Sequence, residues 1–212
     1  MTKIVAVLQQ KGGAGKTTVA TNIACQLHAD DEKVLLIDLD PQGSATDWYE
    51  AQDENKPGPE VIRMGKKIHQ ALPKISHSYD WVIIDGAPNV SDLAAAGVRA
   101  ADIILVPVQP SPYDIWACAE LVELIQARQV ATDGHPKAAF LISRAIKGTK
   151  LSREVEDALL DYELPVFKKM TTQRVDYANT AKSGGSVIDL DGDNNARFEI
   201  KMITKELREF AE

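Results

Sequence analysis

The residues best suited to chemistry lie between positions 10 and 18, where Gln10-Lys11-Gly12-Gly13-Ala14-Gly15-Lys16-Thr17-Thr18 groups glycines, lysines and threonines in one short run. Glycines let a backbone curl with its N–H groups turned inward, and a helix starting there adds its positive end. Such a loop accepts phosphate oxygens. Lys16 supplies a mobile charge for the outer phosphates, and the Thr17 hydroxyl is a ligand for magnesium. Two acidic groups follow: Asp38-Leu39-Asp40-Pro41-Gln42-Gly43, then Asp85-Gly86-Ala87-Pro88. Either acid alone would serve as a helix cap or a turn former. Together with a phosphate loop they point to magnesium and phosphoryl chemistry, because a hard cation wants oxygen ligands.

These groups need a frame. Ile4–Leu8, Val34–Ile37, Trp81–Ile84, Ile103–Val106 and Phe140–Ile142 are short, continuously apolar runs, as expected of strands buried on both faces. Each is separated from the next by helical spacing or by loop residues. Ala20, Ile23, Ala24 and Leu27 line one helix face, and Ile115, Cys118, Leu121, Val122 and Ile125 define a longer helix. The alternation predicts an α/β fold with a mostly parallel, doubly wound sheet flanked by helices, as one domain over 1–212. The polar stretch Gln52–Glu60 reads as a surface loop, and Ser183–Asn195 as a second irregular segment. The phosphate loop and both acidic groups follow strands, at the carboxyl ends where ligands bind in such sheets. The four apolar residues before Asp85 make its carboxylate a Walker B aspartate, which holds magnesium.

Composition narrows the function. A net charge of −7 argues against a protein that coats nucleic acid, though not against a local basic patch. The two cysteines, Cys25 and Cys118, sit far apart inside apolar helical patterns, which suits buried thiols better than a disulfide or metal cluster. No apolar run reaches membrane-spanning length, so the expected location is the cytoplasm.

Lysine at position 11, before the glycines, departs from the ordinary phosphate loop. Lys-Gly-Gly-Ala-Gly-Lys-Thr-Thr resembles the deviant Walker A box of the ParA/MinD family, whose members include plasmid and chromosome partition ATPases. The resemblance implies a single-domain P-loop NTPase that binds ATP and Mg2+ and forms a homodimer around ATP. Lys11 would reach across that interface to the partner's nucleotide. Residues Lys11, Gly12, Gly13, Ala14, Gly15, Lys16, Thr17 and Thr18 would cradle the phosphates. The Asp-x-Asp-Pro-Gln segment resembles the family's switch loop, in which Asp40 directs the attacking water and Asp38 lies near the metal with Thr17 and Asp85. Gly86 departs from the family's usual residue at that point. Leu141-Ile142-Ser143-Arg144 falls where the family contacts ribose and base, and Phe167–Thr171, Met170 included, would complete an adenine pocket. The guanine-reading Asn-Lys-x-Asp box is absent there, which favours ATP.

The resemblance also suggests partners. Lys168, Lys169, Arg174 and Lys182 form a local cationic excess in the stretch 164–185, where ParA-type proteins contact non-specific DNA. A centromere-binding adaptor of the ParB or ParG kind would stimulate hydrolysis, and the ATP form would sit on the nucleoid. No helix-turn-helix segment is seen before the first strand, as in the small ParF-like partition proteins. The last helix carries Ile200, Ile203, Leu207 and Phe210 as a stripe, but its charges are balanced. It is therefore expected to pack on the core rather than on a membrane, as a MinD-like helix would.

Overall fold

The computed structural model describes residues 1–88, 92–146 and 150–212, with the backbone alone for 150–153. Its strands are β1 (Lys3–Val7), β2 (Val34–Asp38), β3 (Glu60–Arg63), β4 (Trp81–Asp85), β5 (Ile103–Val108) and β6 (Lys137–Ile142). They form one sheet in the order β3-β2-β4-β1-β5-β6, and every neighbouring pair is parallel. The helices are α1 (Lys16–Ala29), α2 (Ser44–Glu50), α3 (Ile68–Ile75), α4 (Asp92–Ala100), α5 (Pro112–Trp116), α6 (Ala119–Ala131), α7 (Lys150–Leu160), α8 (Val175–Ala181) and α9 (Asn195–Ala211).

Alternate residues of each strand feed opposite faces, which is why the strand sequences are apolar without a break. Val5, Val7, Leu36, Ile83, Leu105 and Leu141 pack against α1, α2 and α9. Ala6, Leu8, Ile37, Ile84, Val106 and Phe140 pack against α3, α4, α6 and α7. Truncating a buried anchor such as Phe140 to alanine would cost about 3–5 kcal/mol. The apolar stripe of α9 is spent here: Ile200, Ile203 and Leu207 are fully buried, and Phe210 packs edge-on against Phe167.

Two expectations are corrected. The stretch read as a loop up to Glu60 gives way at that residue to β3, which pairs with β2 at the edge of the sheet. An edge strand buries little, so Glu-Val-Ile-Arg lacks the continuous apolar run that marks the central strands. The predicted long helix is two, α5 and α6, parted at Ala117 and Cys118. Ile115, Cys118, Leu121, Val122 and Ile125 are all buried as the spacing required, so the pattern survives the break.

The order of the strands places the site. The chain leaves β1 toward β2 on one side, and later leaves β4 for β5 on the other. The crevice above β1 is thus a topological switch point, and the phosphate loop occupies it.

Candidate functional site

The loop from Leu8 to Gly15 closes over the end of β1. Gly13 and Gly15 have φ of 77° and 98°, in the left-handed region where a side chain is strained. Its carbonyls are held from outside: Ser143 Oγ donates to Ala14 O at 2.7 Å, and Gln109 Nε2 donates to Gly13 O at 2.6 Å. Carbonyls held from outside suit a loop whose glycine N–H groups turn toward an anion, with the first turn of α1 behind them. Gly86 has a packing reason for its size. A Cβ there would lie 2.3 Å from Leu8 Cδ2 and 2.8 Å from Val7 O, so the turn after β4 can press against the root of the loop.

Beside the loop opens a cavity of about 1090 Å³, lined by Gly12, Gly13, Gly15, Lys16, Thr17 and Thr18 on its phosphate side and by Asp40 from the switch loop. That is ample for a nucleoside triphosphate. Lys16 is buried, which holds its ammonium below the ordinary value, while Asp85 and Asp40 pull it back up. Thr17 Oγ1 donates to Asp85 Oδ2 at 2.7 Å, and Asp85 Oδ1 is buried with no partner. Burial raises the Asp85 carboxyl to about 7, with Asp38 adding to the effect and Thr17 and Lys16 opposing it. A buried carboxylate oxygen without a donor, next to a hydroxyl and a phosphate cradle, fits a magnesium site.

Asp38, expected near the metal, is the register partner of Asp85 across β2 and β4. Its Oδ1 accepts from Asp40 N at 3.0 Å, and its Oδ2 accepts from Thr46 N and Oγ1 at 2.9 and 2.8 Å. Through these bonds Asp38 shapes the turn at Asp40 and the start of α2. That loop is gripped from β3 as well, by Arg63 Nη2 donating to Pro41 O at 3.0 Å.

The far wall of the cavity is formed by Ser143, Arg144, Thr171, Thr172, Gln173, Arg174, Val175 and Tyr177. Arg144 adopts φ of 54°, unusual for a side-chain-bearing residue, and its N–H donates to Thr171 Oγ1 at 3.1 Å. Met170 is absent from this wall; it packs into the core, and the residues after it face the cavity. Glu199 of α9 organises the segment, accepting from Thr172 N and Oγ1, Arg174 Nε and the Tyr177 hydroxyl. Burial, then Glu199, pushes the Tyr177 hydroxyl well above its ordinary range.

Residues 5–187 match the nucleotide-binding domain described as CobQ/CobB/MinD/ParA. The chain belongs to this family. Over 208 residues, 97% of this chain and 94% of the other, it is 31% identical to the maintenance of carboxysome distribution protein A of Gloeobacter kilaueensis. It is 28% identical over 185 residues, 73% of this chain and 74% of the other, to the chromosome-partitioning ATPase Soj of Thermus thermophilus. Its fold is similar to that of Cyanothece McdA in complex with ATP, with a TM-score of 0.82 at 18% identity, covering 98% and 96% of the two chains.

Within this ParA/MinD-family frame, the two loop lysines take different paths. Lys16 faces the cavity, whereas Lys11 turns away to pair with Asp114 of α5 at 2.5 Å. The basic patch is also redrawn. Arg174 is ion-paired to Glu199 at 3.0 Å and lines the cavity. Lys168, Lys169 and Lys182 are exposed, but the backbone N–H groups of Lys168 and Lys169 both bond the Glu206 carboxylate, which places an acid in the patch. Glu199 and Glu206 lie on α9, beyond the cationic stretch 164–185. Cys25 and Cys118 are pushed to about 12 and 11 by burial, and so remain thiols.

Sequence reasoning missed Gln109, Gln9, Asp114, Glu199 and Arg63. Gln109 sits in the proline-rich turn after β5, and its proximity to the expected nucleotide end of the sheet was a usable signal. The others act through partners far along the chain.

Proposed function

We propose that this chain is an ATP-driven positioning protein: it binds Mg-ATP, closes a homodimer on it, holds non-specific DNA in that state, and lets go after hydrolysis. The observation that carries the reading is the divergence of Lys11 and Lys16. One cation serves the cavity of its own chain, while the other is turned out of it, as a lysine destined for a second subunit's nucleotide would be. The relatives named for carboxysome distribution and for chromosome partition belong to the same functional pattern, in which a cargo is distributed in the cell.

The geometry supports a role for each residue. The loop N–H groups and Lys16 bind and orient the triphosphate. Thr17 and Asp85 would hold magnesium, which when bound neutralises phosphate charge and polarises the outer phosphoryl group. Asp40, at the cavity edge and fixed through Asp38, orients the attacking water. Arg144 and the Thr171–Val175 segment flank ribose and base. Lys168, Lys169 and Lys182 are the remaining DNA contacts; few per copy, they give weak binding that doubles in number on dimerisation and falls steeply with salt. An adaptor bound to the cargo would speed hydrolysis. The cargo is a DNA replicon, as in partition, or a protein-shelled body, as the near-full-length similarity to the carboxysome-distribution relatives favours. A membrane-surface role is disfavoured by α9, whose apolar stripe lies in the core.

The test is sedimentation velocity with a non-hydrolysable ATP analogue, ADP or neither, paired with a DNA-binding titration at several salt concentrations. Dimers and DNA binding are expected with the analogue alone. Single subunits at every analogue concentration would refute the reading.

A further inference from the structure

The ion pair between Lys11 and Asp114 joins the phosphate loop to α5, and its two ends stand in different surroundings. The lysine side chain is 40% exposed, that of Asp114 only 3%. Asp114 Oδ2 takes the lysine at 2.5 Å, while Oδ1 is buried without a partner. Among the described residues, this carboxylate thus has Lys11 as its cation and nothing in reserve.

Asp114 cannot follow Lys11 if the lysine leaves. Its N–H donates to Ser111 O at 3.0 Å, and its carbonyl accepts from Cys118 Sγ at 3.2 Å. Gln9 Nε2 in turn donates to Cys118 Sγ and to Pro107 O, both at 3.2 Å, tying this turn to the end of β1. The anion is fixed and the cation rides on a flexible stem. Leaving a buried carboxylate unpaired is strongly unfavourable, more so than exposing a surface one.

We propose that Asp114 is the resting counter-ion of Lys11, which must be surrendered when a second copy of the chain engages, so that the pair restrains dimerisation until a triphosphate is present. The inference rests on the preceding reading, in which Lys11 serves the opposite nucleotide. A twofold dimer imposes the loss on both copies. The outermost phosphate of ATP offers Lys11 an anion in exchange; ADP lacks it, so the exchange fails and the chain stays single. The device therefore makes pairing depend on triphosphate and not on nucleotide alone.

The experiment compares wild type and Asp114→Asn by sedimentation velocity across titrations of a non-hydrolysable ATP analogue and of ADP. Affinity of the single subunit for fluorescent ATP is measured in parallel. Asparagine keeps the shape and removes the charge. The expected gain is about tenfold per copy, hence about a hundredfold in the dimer dissociation constant. ADP should begin to support dimers, with single-subunit affinity unchanged. Equal or weaker dimerisation of a folded Asp114→Asn variant overturns the proposal. If wild type dimerises on the analogue and the variant gains nothing, the latch falls while the dimer reading stands; if neither dimerises, the two fall together. A second measurement protects against misfolding: Tm for Lys11→Ala, Asp114→Asn and the double variant. Lys11→Ala should be the least stable, with the double variant partly restored. Additive losses would show that the pair is not formed in solution, and the proposal would fail.

Discussion

Replacing Asp85 with asparagine should make the free protein more stable at alkaline pH, although it damages the site. In the folded chain burial lifts the Asp85 carboxyl from its ordinary 3.8 to about 7. Below the unfolded value both states carry the proton. As pH rises, the unfolded chain releases it first, and the folded chain only near 7. Stability from this group therefore falls across that window and is lowest above it. At about 1.4 kcal/mol for each tenfold change in proton affinity, the ceiling is about 4 kcal/mol, reduced by water entering the open cavity. Asparagine can still accept from Thr17 and carries no charge. Between pH 5 and 8 its advantage over wild type should widen by about 2–3 kcal/mol, or about 5–10 °C in Tm for a domain of this size. The slope is the readout, because a buried amide adds a cost that does not vary with pH. Thermal unfolding of the nucleotide-free proteins in a constant-ionic-strength buffer series measures it. Parallel Tm curves for the two proteins from pH 5 to 8 would refute the reasoning. Saturating Mg-ATP analogue should flatten the wild-type slope, since a divalent cation compensates the carboxylate that burial penalises.

Other expectations are simpler. Lys16→Met should weaken Mg-ATP binding by at least about tenfold, read by labelled nucleotide, while the apo Tm holds or rises because a buried charge is gone. Asp40→Ala should lower kcat by about 10²–10⁴ with KM little changed; undiminished turnover would remove Asp40 from the chemistry. Substituting Lys168, Lys169 and Lys182 together by alanine should reduce the salt dependence of DNA binding by about one unit of slope for each phosphate no longer neutralised. Arg174→Ala should leave that slope unchanged and weaken nucleotide affinity instead, because its guanidinium is spent on Glu199 beside the cavity.

Much of the fold and of the phosphate site is legible in the residues alone. The central strands announce themselves because burial on two faces demands unbroken runs such as Trp81–Ile84 and Ile103–Val106. The phosphate loop is legible because its chemistry is local: glycines, lysine and threonine act through neighbouring backbone, so order in sequence is nearly order in space. The same locality explains Asp85, placed at a strand end by the residues immediately before it. The edge strand β3 escaped because Glu60–Arg63 buries too little to leave a periodic trace.

What sequence could not supply is the partner of each charge. Arg174 reads as a free cation until α9 brings Glu199 to it, and Lys168 and Lys169 read as a patch until the same helix sets Glu206 under their backbone. Asp38 reads as a carboxylate near the metal, and its bonds from Thr46 and the Asp40 N–H are legible only in the fold. In each case the residue type is legible and its neighbours are not, because a charge's worth depends on burial and on groups many residues away. Lys11 shows the consequence most sharply. Its position before the glycines marks it as exceptional, yet only the fold reveals that Asp114 holds it, and a lysine that must break a buried pair before acting is a different device from one waiting in solvent.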